Sequence, residues 1–242
     1  MQARTKLFIF PHAGGSDLSY ASIEKSLSLV FDCFTFCYPG RGRRYNDEFA
    51  RNIGELVEDC LSFLLSKQDG EDFFFMGHSF GALVAFECMR ALQSDNMPQP
   101  AISFLSGKNA PSHVSDGILK HTMDDEQLIE YLKNLGGIPN DLADNQSFIS
   151  FYLPIIRHDL ALIENYEYRQ RNQLNVPLVL INGTEDLGIK SSSIQGWQQE
   201  TTKQCHFEKM AGGHFFNLEN QSFTNLIFSY NEKCNYNSLL HS

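Results

Sequence analysis

Apolar residues along the chain fall into two kinds of run that alternate. Short unbroken runs at Leu7–Phe10, Asp72–Met76, Ala101–Ser106 and Leu178–Ile181 predict strands buried on both faces, with further strands at Asp32–Tyr38 and Cys205–Met210. Between them lie stretches with helical periodicity. In Ile53–Ser66 the apolar positions are Ile53, Leu56, Val57, Cys60, Leu61 and Leu64, spaced at three and four. Helices are likewise predicted near Tyr20–Leu29, over Phe80–Leu92 and near Phe223–Tyr230. This alternation predicts an α/β fold: a mostly parallel sheet with helices on both faces. One stretch breaks the rhythm. From about 112 to 171 the pattern is helical throughout, with no strand. A helical block between two strands, at the carboxyl edge of such a sheet, is expected to be a lid. Residues 1–242 are expected to form a single domain carrying this insertion.

Charge and composition narrow the class. The 242 residues carry a net charge of −10, which argues against a nucleic-acid partner. No run reaches the roughly 20 apolar residues needed to cross a bilayer. Arg4 and Lys6 precede Leu7–Phe10 as in a signal peptide, but Pro11 and His12 stop the apolar run. None of the six cysteines forms a CxxC pair, and they read as reduced thiols of a cytoplasmic protein.

The sharpest local pattern is Gly77-His78-Ser79-Phe80-Gly81, between the strand Phe73–Met76 and the helix that opens with Ala82. This is the setting of a GxSxG nucleophile elbow, where a serine projects from a tight strand-to-helix turn. A serine hydroxyl needs a base. In this architecture the acid and the histidine follow the serine in sequence, which leaves His113, His121, His158, His206, His214 and His241. His214 lies in the loop Ala211-Gly212-Gly213-His214-Phe215-Phe216 after the last strand and is the preferred base. His206 falls inside a strand, and His78 is expected to pack beside the elbow. The acid should follow the strand Leu178–Ile181, where Asp186 is preferred over its neighbour Glu185. The expected oxyanion donors are the backbone N–H of Phe80 and that of Ala13, in the loop after the first strand.

Together these residues make the chain resemble the type II thioesterases of nonribosomal peptide and polyketide synthesis, an α/β-hydrolase family. The likeness spans nearly the whole chain. It includes Leu7–Ser16, the segment Tyr38-Pro39-Gly40-Arg41-Gly42-Arg43-Arg44, the elbow, and Ser106-Gly107-Lys108-Asn109-Ala110-Pro111. It extends to Leu135–Pro139 and Leu153–Leu160 in the helical block, and to Gly212–Phe216. Two places depart from the family pattern: Phe80, often Met there, and the pair Leu187-Gly188, where Asp-Pro is more usual.

The resemblance implies a Ser79–His214–Asp186 triad. The substrate would be an acyl group held as a thioester on the phosphopantetheine arm of an acyl or peptidyl carrier protein. The role would be editing, the removal of stalled acyl groups, with neither metal nor cofactor required. Phe148, Phe151 and Tyr152 are expected to touch the acyl group. Arg41, Arg43 and Arg44, the one tight basic cluster, are expected either to meet the carrier or to form ordinary ion pairs. A general carboxylesterase or an acyl-CoA thioesterase would use the same triad.

Overall fold

A computed structural model describes residues 4–113, 117–216, 218 and 221–241. Three residues of the expected lid, 114–116, therefore lie outside the described ones. Six strands form one parallel sheet: β1 (Lys6–Phe10), β2 (Asp32–Thr35), β3 (Phe73–His78), β4 (Ile102–Ser106), β5 (Leu178–Gly183) and β6 (Cys205–Met210). Their spatial order is β2-β1-β3-β4-β5-β6. The chain thus steps outward once, from β1 to β2, then returns and runs the other way. The switch lies between β1 and β3, where open α/β sheets bind ligands at the carboxyl edge.

Successive strand residues face opposite ways, and the core divides accordingly. Phe8, Phe10, Phe73 and Phe75 face one layer, with α2 (Ile53–Lys67) and α3 (Phe80–Ser94). Leu7, Ile9, Phe74 and Met76 face the other, with α1 (Ala21–Leu27) and α8 (Gln221–His241). Phenylalanines pack side by side in the first layer, Phe8 stacking on Phe34 of β2 at 5.4 Å and Phe10 lying 4.4 Å from Phe36, just past β2, between ring centres.

The helical block between β4 and β5 contains α4 (Asp125–Leu135), α5 (Asn140–Ala143) and α6 (Gln146–Glu164). Each long helix starts as capping chemistry requires: Asp124 accepts from the Gln127 N–H, and Asn145 accepts from the Phe148 N–H. α4 ends on Gly136 at φ 80°, a left-handed cap that favours glycine. The short helix α7 (Ser191–Gly196) follows β5. Two boundaries differ from expectation by three residues or more. β2 stops at Thr35 rather than Tyr38, since the chain turns toward Pro39 and Gly40. The last helix runs to His241, because polar residues after Tyr230 extend it without an apolar stripe to announce them.

Candidate active site

The elbow is a backbone structure before it is a chemical one. Ser79, between β3 and α3, has φ 54° and ψ −111°, a conformation that L-residues adopt only at a cost. Its N–H donates to the Ser106 carbonyl at 2.8 Å, tying the turn to β4. The two glycines of the motif have separate reasons. A Cβ at Gly77 would lie 2.8 Å from the Ala82 nitrogen and overlap the Gly81 carbonyl. A Cβ at Gly81 would overlap the Phe10 carbonyl and lie 2.7 Å from the Pro11 oxygen. Only hydrogen at both positions lets α3 start this close to β3 and β1.

Two loops from neighbouring strands meet over Ser79. The backbone clamps them together: Thr184 N–H donates to Met210 O and Glu185 N–H to Gly212 O, each at 2.8 Å. The result brings three sequence-distant groups into line. His214 Nε2 is 3.0 Å from Ser79 Oγ, and His214 Nδ1 is 2.8 Å from Asp186 Oδ2. The second contact holds the proton on Nδ1 and leaves Nε2 free to accept from the serine.

Burial separates the two neighbouring acids. The Asp186 carboxylate is buried, whereas Glu185 is exposed. The second Asp186 oxygen accepts from the Gly188 N–H at 3.0 Å. The departure at position 188 is thus informative: a proline there would have no N–H to give.

Two further histidines adjoin His214. His78 is buried, with Nδ1 2.9 Å from Ser106 Oγ and its ring 5.1 Å from that of His214. Burial, with the nearby His214 and His12 charges, drives its pKa well below the usual histidine value. His12 lies 3.0 Å from the Tyr20 hydroxyl and is pushed down to about 4, mainly by burial. Both stay neutral near pH 7 and add no charge beside His214. Lys108, on the segment beside these rings, is pushed down to about 8 by burial. His206 packs on Tyr230 of α8, away from this cluster, as a strand histidine would.

Phe80 is the first residue of α3, so its N–H has no partner within the helix. Ala13 lies in the turn after β1, beside the Phe10–Pro11 backbone that abuts Gly81. Of the three aromatics of the helical block, Tyr152 reaches this turn, next to Gly14, and stacks on Phe148 at 5.1 Å. Phe151 instead stacks on Tyr45 and is 50% exposed.

The basic cluster resolves into ion pairs. Arg41 is only 2% exposed and grips Asp159 of α6 with both terminal nitrogens, so it cannot present charge to a partner. Arg43 pairs with Asp17, and Arg44 with Asp47 and Asp59. Asp159 was not singled out from the sequence. Burial pushes its carboxyl up, but the Arg41 guanidinium outweighs this and holds it below the usual range. The available signal was a lone acid on the apolar face formed by Ile149, Leu153, Ile156 and Leu160. Among the described residues, no group of three or more His, Cys, Asp or Glu side chains could hold a metal ion. Nor, among these residues, is any helix long and apolar enough to cross a membrane.

Comparison with known proteins identifies the family. The family model for the thioesterase domain matches residues 5–234. The probable anguibactin biosynthesis thioesterase AngT of Vibrio anguillarum is 30% identical over 89% of this chain and 86% of its own. The medium-chain S-acyl fatty acid synthase thioesterase of Homo sapiens is 28% identical over 96% of this chain and 88% of its own. The crystal structure of ClbQ from the colibactin NRPS/PKS pathway superposes with a TM-score of 0.89 at 25% identity, covering 98% of this chain and 100% of that one. The chain belongs to the thioesterase family, on the α/β-hydrolase fold, and within it to the type II thioesterases of nonribosomal peptide and polyketide pathways.

Proposed function

We propose that the protein hydrolyses acyl thioesters held on the phosphopantetheine arm of carrier-protein domains, by acyl transfer through Ser79. The observation that carries this reading is the hydrogen-bonded chain from Ser79 Oγ to His214 to Asp186, at a serine held with φ 54°. Ser79 Oγ attacks the thioester carbonyl as His214 Nε2 takes its proton. The buried Asp186 carboxylate stabilises the imidazolium that forms. The Phe80 and Ala13 N–H groups hold the oxyanion. The carbon–sulfur bond then breaks, and the pantetheine thiol leaves with the proton from His214. A thiol with a pKa near ~8.5 needs less protonation than an alcohol or amine. Water, deprotonated by His214, attacks the acyl-serine; the carboxylic acid is released and Ser79 recovers its proton.

The carrier-bound substrate rests on kinship. AngT is named for anguibactin biosynthesis, and ClbQ is described as part of an NRPS/PKS pathway. Such a substrate is a long thin arm, and α4–α6 suit a lid over it, with Tyr152 and Phe148 lining the acyl side. We take residues 1–242 as one catalytic unit acting in the cytoplasm, with the lid over about 112–171. A second reading, a preference for plain fatty acyl chains, is favoured by the kinship with the human fatty acid synthase thioesterase.

A substrate panel distinguishes these readings. Acyl-carrier thioesters, free acyl-CoA and p-nitrophenyl esters are offered to the wild-type enzyme and to Ser79→Ala. The proposal expects the highest kcat/KM on the carrier-bound thioester. Equal turnover of the small esters would make the protein a general esterase instead.

A further inference from the structure

We propose that Asp159, near the carboxyl end of α6, is a positioning residue for the oxyanion loop, and that Arg41 holds it in place for that task. The inference rests on the reading of the Ala13 N–H as an oxyanion donor.

The loop His12-Ala13-Gly14-Gly15 is a four-residue turn closed by a bond from the Gly15 N–H to the His12 carbonyl at 2.9 Å. Gly14 has φ 77°, the value the third residue of a type II turn requires. The closing bond fixes the His12–Ala13 peptide. In a trans peptide the N–H points opposite to the carbonyl, so the same bond aims the Ala13 N–H outward from the turn. The remaining freedom lies in the central peptide, Ala13–Gly14. Flipping it converts type II into type I geometry and reverses its N–H. That N–H, on Gly14, donates to Asp159 Oδ2 at 2.8 Å. Both forms keep the closing bond, which sets the direction of the Ala13 N–H within the turn; the Asp159 bond holds the turn in one form and fixes the turn itself in place against α6.

The acceptor is itself firmly held. Asp159 is fully buried, and Arg41 binds both its oxygens, with Nη2–Oδ1 at 2.7 Å and Nη1 on Oδ2 beside the Gly14 N–H. Tyr152, Ile156 and Asp159 lie on one face of α6 at spacings of four and three. The first two close over the same loop: a Cβ at Gly14 would lie 2.9 Å from Ile156 Cδ1 and overlap the Tyr152 hydroxyl. Asp159 touches neither Ser79 nor His214 and works through the turn. One consequence concerns motion. If α6 lifts as part of a lid, the Gly14–Asp159 bond breaks, so closure over a substrate and readiness of the oxyanion site become one event.

Removing Asp159 alone would strand a buried guanidinium, so two variants are needed. The double variant Arg41→Met/Asp159→Leu removes both charges and leaves the Gly14 N–H without an acceptor. Asp159→Asn keeps an oxygen acceptor but weakens the bond. Each is assayed on an acyl-pantetheine thioester, and for inhibition by the matching trifluoromethyl ketone, which adds Ser79 Oγ at its carbonyl and leaves an oxyanion. Thermal melting is recorded alongside. For the double variant we expect kcat to fall about 10²-fold with KM within about twofold, and ketone affinity to fall in parallel. For Asp159→Asn we expect about a fivefold fall in kcat, again with parallel loss of ketone affinity. A folded double variant with unchanged kcat and ketone affinity overturns the proposal. If the double variant does not fold, unchanged kcat and ketone affinity in Asp159→Asn do so. Ser79→Ala serves as the control: if it remains active, the acyl-serine reading itself fails, whatever Asp159 does.

Discussion

The floor and the roof of the candidate site are built by different means. The floor, β3 through Ser79 into α3, keeps its shape through local backbone: a strained serine between two glycines that lie against main-chain carbonyls. The roof, α6 above the loop after β1, is held by side chains from segments far apart in sequence, with Arg41 and Gly14 both meeting Asp159. The first kind of structure tolerates almost no added atom. The second can yield locally, as the proposed tethered substrate would require.

Chemistry converging on the floor sets the largest expected effect. Asp186→Asn should lower kcat about 10⁴-fold, because the amide favours the wrong imidazole tautomer. Glu185→Gln, at an exposed position, should stay within about twofold of wild type. Steady-state kinetics on an acyl-pantetheine thioester checks both. Equal losses would mean that burial has been misjudged as the guide to the acid.

A pair of glycine substitutions sharpens the contrast between floor and roof. Gly81→Ala pushes a methyl into the Phe10 main-chain carbonyl, which cannot move without disturbing β1. It should cost about 3 kcal/mol or more in denaturant unfolding. Gly14→Ala meets the ends of the Tyr152 and Ile156 side chains, which can swing aside. Its main cost is the left-handed φ, about 1–2 kcal/mol. If Gly14→Ala proved the more damaging, the roof would be the rigid part.

The smallest effect comes from the histidines between floor and roof. His12 titrates at about 4 in the folded protein, against 6.5 when unfolded, and His78 is displaced in the same direction. Between those values the unfolded chain binds the extra protons, so stability falls as pH falls from 6.5 toward 4. The slope is at most about 1.4 kcal/mol per pH unit for each histidine. Unfolding of wild type and His12→Gln across this range checks it: the substitution should flatten the dependence. An unchanged slope would mean that His12 is not held neutral.

Much of this was legible in the sequence because the signals were local. Buried strands showed as unbroken apolar runs, α2 as a three-and-four repeat, and the elbow as glycines two residues either side of Ser79. His214 could be chosen because a Gly-rich loop follows the last strand. Asp186 and Glu185 were harder, since adjacent residues share a local pattern and only the fold decides which one turns inward. The Arg41–Asp159 pair was not legible. Its partners are 118 residues apart, and in Pro39-Gly40-Arg41-Gly42-Arg43-Arg44 nothing local separates the buried arginine from its two partly exposed neighbours. A charged residue in the apolar stripe of α6 was the trace it left.

The most direct test of the central claim is to mix the enzyme with an acyl-carrier thioester and follow both acid release and the enzyme's intact mass, for wild type and Ser79→Ala. The account predicts a transient acyl adduct on the wild-type peptide containing Ser79, and a fall in turnover of about 10⁴-fold or more without the hydroxyl. An adduct on another residue, or wild-type turnover by Ser79→Ala, would contradict it.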